Sequence, residues 1–158
     1  MSDRLRNQIA QERRQLNRLL DAHRPLLEKC AHSKPDTIEL SALAAMLHSF
    51  YCGVENVFKR IAVEVDGESP EGPAWHRKLL ESLFRPGAKR DGVISQGLYD
   101  RLGDYLEFRH VFRHAYSIEL RWRKMAPLVL QCEDVLRQVE RELDAFLAAM
   151  QEKEGPVQ

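Results

Sequence analysis

The sequence has no excess charge of either sign, no long apolar run and few cysteines. Its 158 residues include 24 Lys and Arg and 24 Asp and Glu. A net charge of zero argues against a general nucleic-acid coat or a membrane-surface protein, although it does not exclude a local basic site. No run approaches the ~18 apolar residues that a membrane helix needs. The first residues carry no apolar stretch of the signal-peptide type, and we therefore expect a cytoplasmic protein without membrane association.

The three cysteines and the scattered histidines do not form a metal-binding pattern. Cys30, Cys52 and Cys132 are an odd number and lie far apart in the sequence, which predicts reduced thiols and not a disulfide framework or a zinc site. Glu107 and His110 form a single Glu-x-x-His, whereas a di-metal bundle needs two such motifs and two further carboxylates. We therefore expect no metal and no cofactor.

Helical spacing of apolar residues dominates the chain. Asp36 and Glu39 are predicted to form a capping box at the start of one helix. From the next residue onward, apolar residues recur at intervals of three and four. They are Leu40, Leu43, Leu47, Phe50, Val54, Val57, Ile61 and Val65. No segment of comparable length alternates with period two. The pattern predicts an all-α, up-and-down bundle of four long helices and one short helix, in one domain over residues 1–150. We expect residues 151–158 to form a disordered tail.

Proline and glycine mark the boundaries and bends of these helices. The short helix is predicted over Trp75–Phe84, and the next one begins at Ser95. We expect Pro25 to bend the first helix and Pro127 to lie near the start of the last one or to kink it.

Polar residues within the predicted helices suggest few further sites. We expect Gly53 to allow another helix to approach closely. Glu55 and Asn56 are expected to form a polar helix edge, although they could reach a cleft. Trp75 and His76 are expected at the core edge and on the surface.

Positive charge is concentrated in one stretch of this neutral protein. The segment 109–124, RHVFRHAYSIELRWRK, contains five cations, two histidines and one acid, whereas the segment 133–154 contains seven acids and three cations. Cations beside Tyr116 and Trp122 suit phosphate contact and base stacking. The simpler interpretation of a charge run is a solvated helix face.

Arg109 and His114 give this stretch catalytic potential. An imidazole can take and give protons near neutral pH, and neighbouring cations favour the neutral form that a general base needs. Arginine can hold a phosphate through two nitrogens and oppose the charge that develops during phosphoryl transfer. Five positions separate the two residues by about 140° on an ideal helix. They converge only if the arginine wraps around, the helix is distorted or a second subunit completes the site; a partly buried structural histidine is the alternative.

The motif Arg109-x4-His114-x-Tyr116 resembles that of the HEPN superfamily, and most closely that of HepT toxins from HepT–MntA toxin–antitoxin pairs. The segments ELSALAAMLHSFYCGVENVFKRIA and LEFRHVFRHAYSIELRW are similar to those of HepT-like ribonuclease domains. The resemblance covers Leu40 to Met150, with the motif late in the third long helix. The long polar N-terminal segment and the loop around Pro70 have no counterpart in the family pattern.

The resemblance implies a metal-independent endoribonuclease with its site in a cleft between two subunits of a homodimer. Arg109 would stabilise the transition state, and His114 would be the general acid or base. Tyr116 would be the residue to which a partner MntA-like nucleotidyltransferase antitoxin attaches AMP. Because Arg113 and His110 lie within the same basic stretch, we expect them to contact the RNA substrate. The alternative is a non-catalytic helical partner that presents a substrate to a nucleotidyltransferase.

Overall fold

The predicted all-α bundle is confirmed by the structure, a computed structural model that describes residues 1–114 and 119–155. These residues form five α-helices and no β-strand: α1 (Asp3–Cys30), α2 (Thr37–Ile61), α3 (Trp75–Phe84), α4 (Gln96–His114) and α5 (Trp122–Lys153). The short helix α3 has the predicted bounds. Pro25 lies inside α1, which is continuous, and Pro127 lies near the start of α5, as predicted.

The ends of α2 follow from local hydrogen bonding. Asp36 accepts a hydrogen bond from the backbone N–H of Glu39 at 2.8 Å, and the Glu39 carboxylate accepts one from the backbone N–H of Asp36 at 3.1 Å. This reciprocal capping box was predicted from the sequence. At the other end, α2 continues into a π-helical turn, Ala62–Asp66, which stops at Gly67 with φ of 84°, a left-handed conformation that favours glycine.

Helix α2 is the centre of the bundle and packs against each of the other four helices. Its predicted apolar stripe is buried from Leu40 to Val65. Gly53 allows α1 to approach, because a Cβ at that position would lie 2.6 Å from Leu16 Cδ2. Thr37–Asp66 is the one helix among the described residues that matches a membrane span by length and composition. A core helix passes the same test of length and composition. The apolar composition of α2 is accounted for by its central position in the bundle.

The polar helix α1 is held against the acidic half of α5 by ion pairs. Arg13 donates to Asp144 at 2.6 Å and to Glu140 at 3.4 Å, and Arg24 donates to Glu133 at 2.8 Å. The pairing with Arg24 lowers the pKa of the Glu133 carboxyl group. The acidic residues that the sequence concentrates in α5 therefore face cations from α1, whereas the basic stretch around α4 has no comparable acidic partner in the described residues.

Arg90 organises the connection between α3 and α4. Its side chain is 2% exposed and donates two hydrogen bonds to the Asp66 carboxylate, at 2.8 and 2.6 Å. It also donates to the backbone carbonyls of Ser82, Arg85 and Asp91. One guanidinium thus ties the end of the π-helical turn to the loop that precedes α4.

The last helix α5 continues to Lys153, three residues into the segment for which a disordered tail was predicted. Lys153 lies 3.4 Å from Asp91. At the other end of α5, Tyr105 of α4 donates a hydrogen bond to the carbonyl of Leu128 at 2.7 Å. The first contact holds the loop before α4 against α5, and the second holds α4 itself.

We predict that Arg90→Met destabilises the fold by about 3 kcal/mol, because breaking a buried ion pair leaves a carboxylate and carbonyl oxygens without their donor. The measurement is urea unfolding followed by circular dichroism. Arg85→Met is the control, since Arg85 and Glu81 form an exposed pair four residues apart, and it should cost about 0.5 kcal/mol. Equal effects of the two substitutions would contradict the role assigned to Arg90.

Candidate active site

The C-terminal half of α4 directs Arg109, Phe112 and Arg113 toward α2. Their spacing of three and four places them on one face of the helix. The rings of Phe112 and His48 of α2 have centroids 5.2 Å apart, which orients this face. Arg109 is half-buried, and its Nε atom is buried without a hydrogen-bond partner among the described residues. The predicted motif arginine therefore lies between two helices and not on a solvated face.

A polar stripe on α2 faces this part of α4 and continues toward α3. His48, Cys52, Glu55 and Lys59 are spaced four, three and four residues apart, and so share one helix face. His48 Nε2 lies 3.6 Å from Cys52 Sγ. This stripe runs beside the apolar stripe, so that α2 contributes both to the core and to a polar cleft.

Glu55 occupies a buried position, which corrects the expectation that it forms a solvated helix edge. Glu55 is only 5% exposed, and its carboxylate lies 2.7 Å from Nδ1 of His76. His76 stacks on Trp75 with ring centroids 3.6 Å apart, and Lys59 lies 4.0 Å from the centre of the Trp75 ring. Because a buried carboxylate needs a partner, the start of α3 packs here, and His76 is a partner of Glu55 and not a surface residue.

The charges around this stripe act on one another. The pKa of His48 is lowered by burial first, and then by Arg109 and Arg113, with Glu55 opposing. Burial and Glu55 raise the pKa of Tyr51, which lies one turn before Glu55 on α2, while Arg109 lowers it. The structure therefore brings the α2 stripe and the cations of α4 into one electrostatic cluster.

His110 and His114 lie apart from this cluster. Both are exposed, and their ring centroids are 4.7 Å apart, as expected for residues separated by one helical turn. Because α4 is helical through His114, Arg109 and His114 point about 140° apart. One subunit therefore does not bring Arg109 and His114 onto one face. The prediction for Tyr116 lies outside the described residues.

Sequence reasoning missed His48 and placed His76 on the surface. The available signal was the run of polar residues at 48, 52, 55 and 59 on a helix whose neighbouring face is entirely apolar. Periodicity predicts such a polar face but not whether it contacts water or another helix. The partner residues on α3 and α4 decide this, and they are distant in sequence.

The single Glu-x-x-His is not part of a ligand cluster. Glu107 is exposed, and its carboxylate lies 4.0 Å from the guanidinium of Arg77 on α3. Across the part of the chain that the structure describes, no group of three or more His, Cys, Asp or Glu side chains is arranged to hold a metal ion.

Comparison with protein families identifies the relatives of this chain. The family model described as HepT-like protein matches residues 42–150. This span contains all the site residues named above. It includes α2 to α5 apart from the first residues of α2 and the last residues of α5. Neither curated proteins nor solved structures gave a match. The match covers more than half of the chain and confirms the resemblance drawn from the motif. The chain belongs to the HepT-like family of HEPN-type proteins, and this membership points to a toxin-type ribonuclease.

Proposed function

We propose that this protein is a metal-independent endoribonuclease that acts as the toxin of a toxin–antitoxin pair. The observation that carries the proposal is an intact Arg109-x4-His114-x-Tyr116 motif in the sequence of a HepT-like chain, with Arg109 and His114 at the end of α4. The half-buried Arg109 is held beside α2, where its guanidinium faces a partly polar cleft. The exposed His114 is free to meet a substrate.

The chemistry is an attack of the ribose 2′-oxygen on the adjacent phosphorus. The 2′-O–P bond forms, the P–O5′ bond breaks, the 2′-hydroxyl loses its proton and the leaving 5′-oxygen gains one. His114 moves protons as the general acid or base. Arg109 opposes the negative charge that develops on the phosphate oxygens. Arg113 and His110 contact the neighbouring backbone.

A two-fold dimer resolves the separation of Arg109 and His114. Val111 lies three residues before His114 on the same face of α4 and is 53% exposed. Val111 also lines an open groove of about 440 Å³ between α4 and the region at the start of α5. Its apolar side chains are Phe108, Val111, Leu120, Met125, Pro127 and Leu128, and charged residues border them: Asp104, Glu107, Glu119, Arg121 and Lys124. An exposed apolar surface next to polar groups is typical of an interface. A second copy packed here places one subunit's His114 near the partner's α4.

We predict that His114→Ala and Arg109→Ala each reduce RNA cleavage by about 10²–10⁴-fold, since each removes a group that acts in the transition state. The assay is cleavage of total RNA by purified protein in the presence of a chelator. Arg123→Ala is the matched control, because it removes an exposed cation of the same basic segment outside the motif, and it should retain most of the activity.

Three results would count against this assignment. Cleavage at the wild-type rate by His114→Ala protein rules out the proposed role of His114. Strict dependence on a divalent metal rules out the mechanism. Wild-type protein that binds a nucleotidyltransferase but cuts no RNA supports the non-catalytic alternative.

The proposed control of the toxin acts on Tyr116. A partner nucleotidyltransferase catalyses attack of the tyrosine oxygen on the α-phosphorus of ATP, which forms a phosphodiester, releases pyrophosphate and frees the phenolic proton. Seven residues separate Tyr116 from Arg109, a spacing that returns to nearly the same face of an ideal helix at about 100° per residue. The new phosphate would pair with the arginines that RNA needs, and the nucleotide would fill the cleft.

We predict that co-expression with a cognate MntA-like nucleotidyltransferase adds the mass of AMP to Tyr116 and removes ribonuclease activity. Intact-mass and peptide mass spectrometry locate the adduct. Tyr116→Phe should escape both modification and silencing, whereas Tyr99→Phe, a control on α4 outside the motif, should remain fully modifiable. An adduct on another residue, or none, would show that Tyr116 is not the switch.

A further inference from the structure

His48 of α2 is the histidine that shares a cleft with Arg109. Its ring packs against Phe112, which lies on the same face of α4 as Arg109 and Arg113. By contrast, the motif histidine, His114, lies on another face of α4. The family motif contains no residue of α2, so this contact is visible only in the folded chain.

The hydrogen-bonding groups of His48 and Arg109 are complementary and incompletely used. A neutral imidazole has one N–H and one lone pair. Nε2 of His48 lies 3.6 Å from Cys52 Sγ, whereas Nδ1 is buried without a partner among the described residues. The buried Nε–H of Arg109 likewise has no acceptor there. In the tautomer whose proton is on Nε2, beside Cys52, Nδ1 is an unused acceptor, and Arg109 Nε–H is an unused donor on the facing helix. Buried polar groups without hydrogen bonds are costly.

The charges around His48 favour the form that accepts a hydrogen bond. On α2 it faces Cys52 and Glu55, and on α4 it faces Arg109 and Arg113. Burial and the two arginines lower the pKa of His48 below its ordinary value, and Glu55, seven residues further along α2, opposes this effect. His48 is therefore neutral at pH 7 and gains its proton only in more acidic solution.

We propose that His48 is a positioning residue for Arg109, whose Nε–H donates to His48 Nδ1 when a phosphate engages the two terminal guanidinium nitrogens. The identification of that phosphate as the RNA backbone rests on the proposed function. An arginine anchored through Nε presents its terminal nitrogens as a fixed planar fork, which matches two phosphate oxygens. The Nε2 contact with Cys52 and the packing of the ring against Phe112 hold the imidazole beside α4.

The test compares two substitutions that separate hydrogen bonding from packing. His48→Phe keeps a ring against Phe112 but removes the acceptor. His48→Asn loses the ring but keeps an acceptor, because the amide oxygen of Asn is bonded to Cγ in the same way as Nδ1 of histidine. We expect His48→Phe to lower kcat about 10–100-fold with little change in KM, since a misplaced supporting residue weakens transition-state contacts. We expect His48→Asn to stay within about threefold of wild type, and the thermal melting of both variants confirms folding.

The pH profile gives a second readout that packing alone would not change. Protonation of His48 removes its acceptor, so kcat of the wild-type protein should fall as the pH drops below about 6.5, the ordinary histidine pKa. All other titratable groups are common to the wild-type protein and the His48→Asn variant. The difference between the wild-type and His48→Asn profiles therefore isolates His48, and the Asn variant should lose less activity in acid.

A measurement without RNA keeps this proposal separate from the ribonuclease proposal. We expect inorganic phosphate to shift the Arg109 Nε–H resonance and slow its hydrogen exchange in wild-type and His48→Asn proteins, but not in His48→Phe. This result supports the positioning role even if no RNA is cut. An Arg109 resonance that phosphate leaves unchanged in wild-type protein, or changes equally in all three proteins, overturns it, as does a His48→Phe variant with wild-type kcat.

Discussion

The regular geometry of α4 is the constraint on which the account of this site depends. Each residue turns the helix by about 100°, so Arg109 and His114 cannot share a face while α4 remains helical between them. The structure shows α4 helical through His114. The regular helical geometry therefore directs the arginine toward α2 and the histidine toward solvent. In the proposed site, a single subunit therefore holds two separate halves, each with its own neighbours.

The rest of the bundle supports this division. The ion pairs between α1 and α5 use the acidic residues of α5 far from the motif, with Arg13 and Arg24 as the cations. The described cations of the segment 109–124 form no ion pair of this kind, whereas Arg101, earlier on α4, is paired with Asp134 of α5. On the α2 side, the buried Glu55 binds His76 and thereby fixes α3 beside the polar stripe. The apolar face of the central helix α2 thus packs in the core, and its polar face lines the cleft.

The sequence predicted the helices well because their signals are local. The capping box at Asp36, the apolar spacing of α2 and the limits of α3 all depend on residues within a few turns. The family match was also predictable, because Arg109, His114 and Tyr116 are close in sequence. The relation of Glu55 to His76 and that of His48 to Phe112 could not be predicted in this way, since each pair joins different helices. Burial of a polar residue is decided by what packs over it, and that depends on the tertiary fold.

The central claim is that the ribonuclease site is completed by two subunits, and co-expression of two inactive chains tests it most directly. One chain carries Arg109→Ala and the other His114→Ala, with different tags that allow the mixed dimer to be purified. If Arg109 of one subunit works with His114 of the other, each mixed dimer contains one intact site, and a random mixture of subunits recovers about a quarter of the wild-type activity. Each chain alone stays inactive. A stable mixed dimer without ribonuclease activity, formed from chains whose wild-type parent cuts RNA, would contradict the claim.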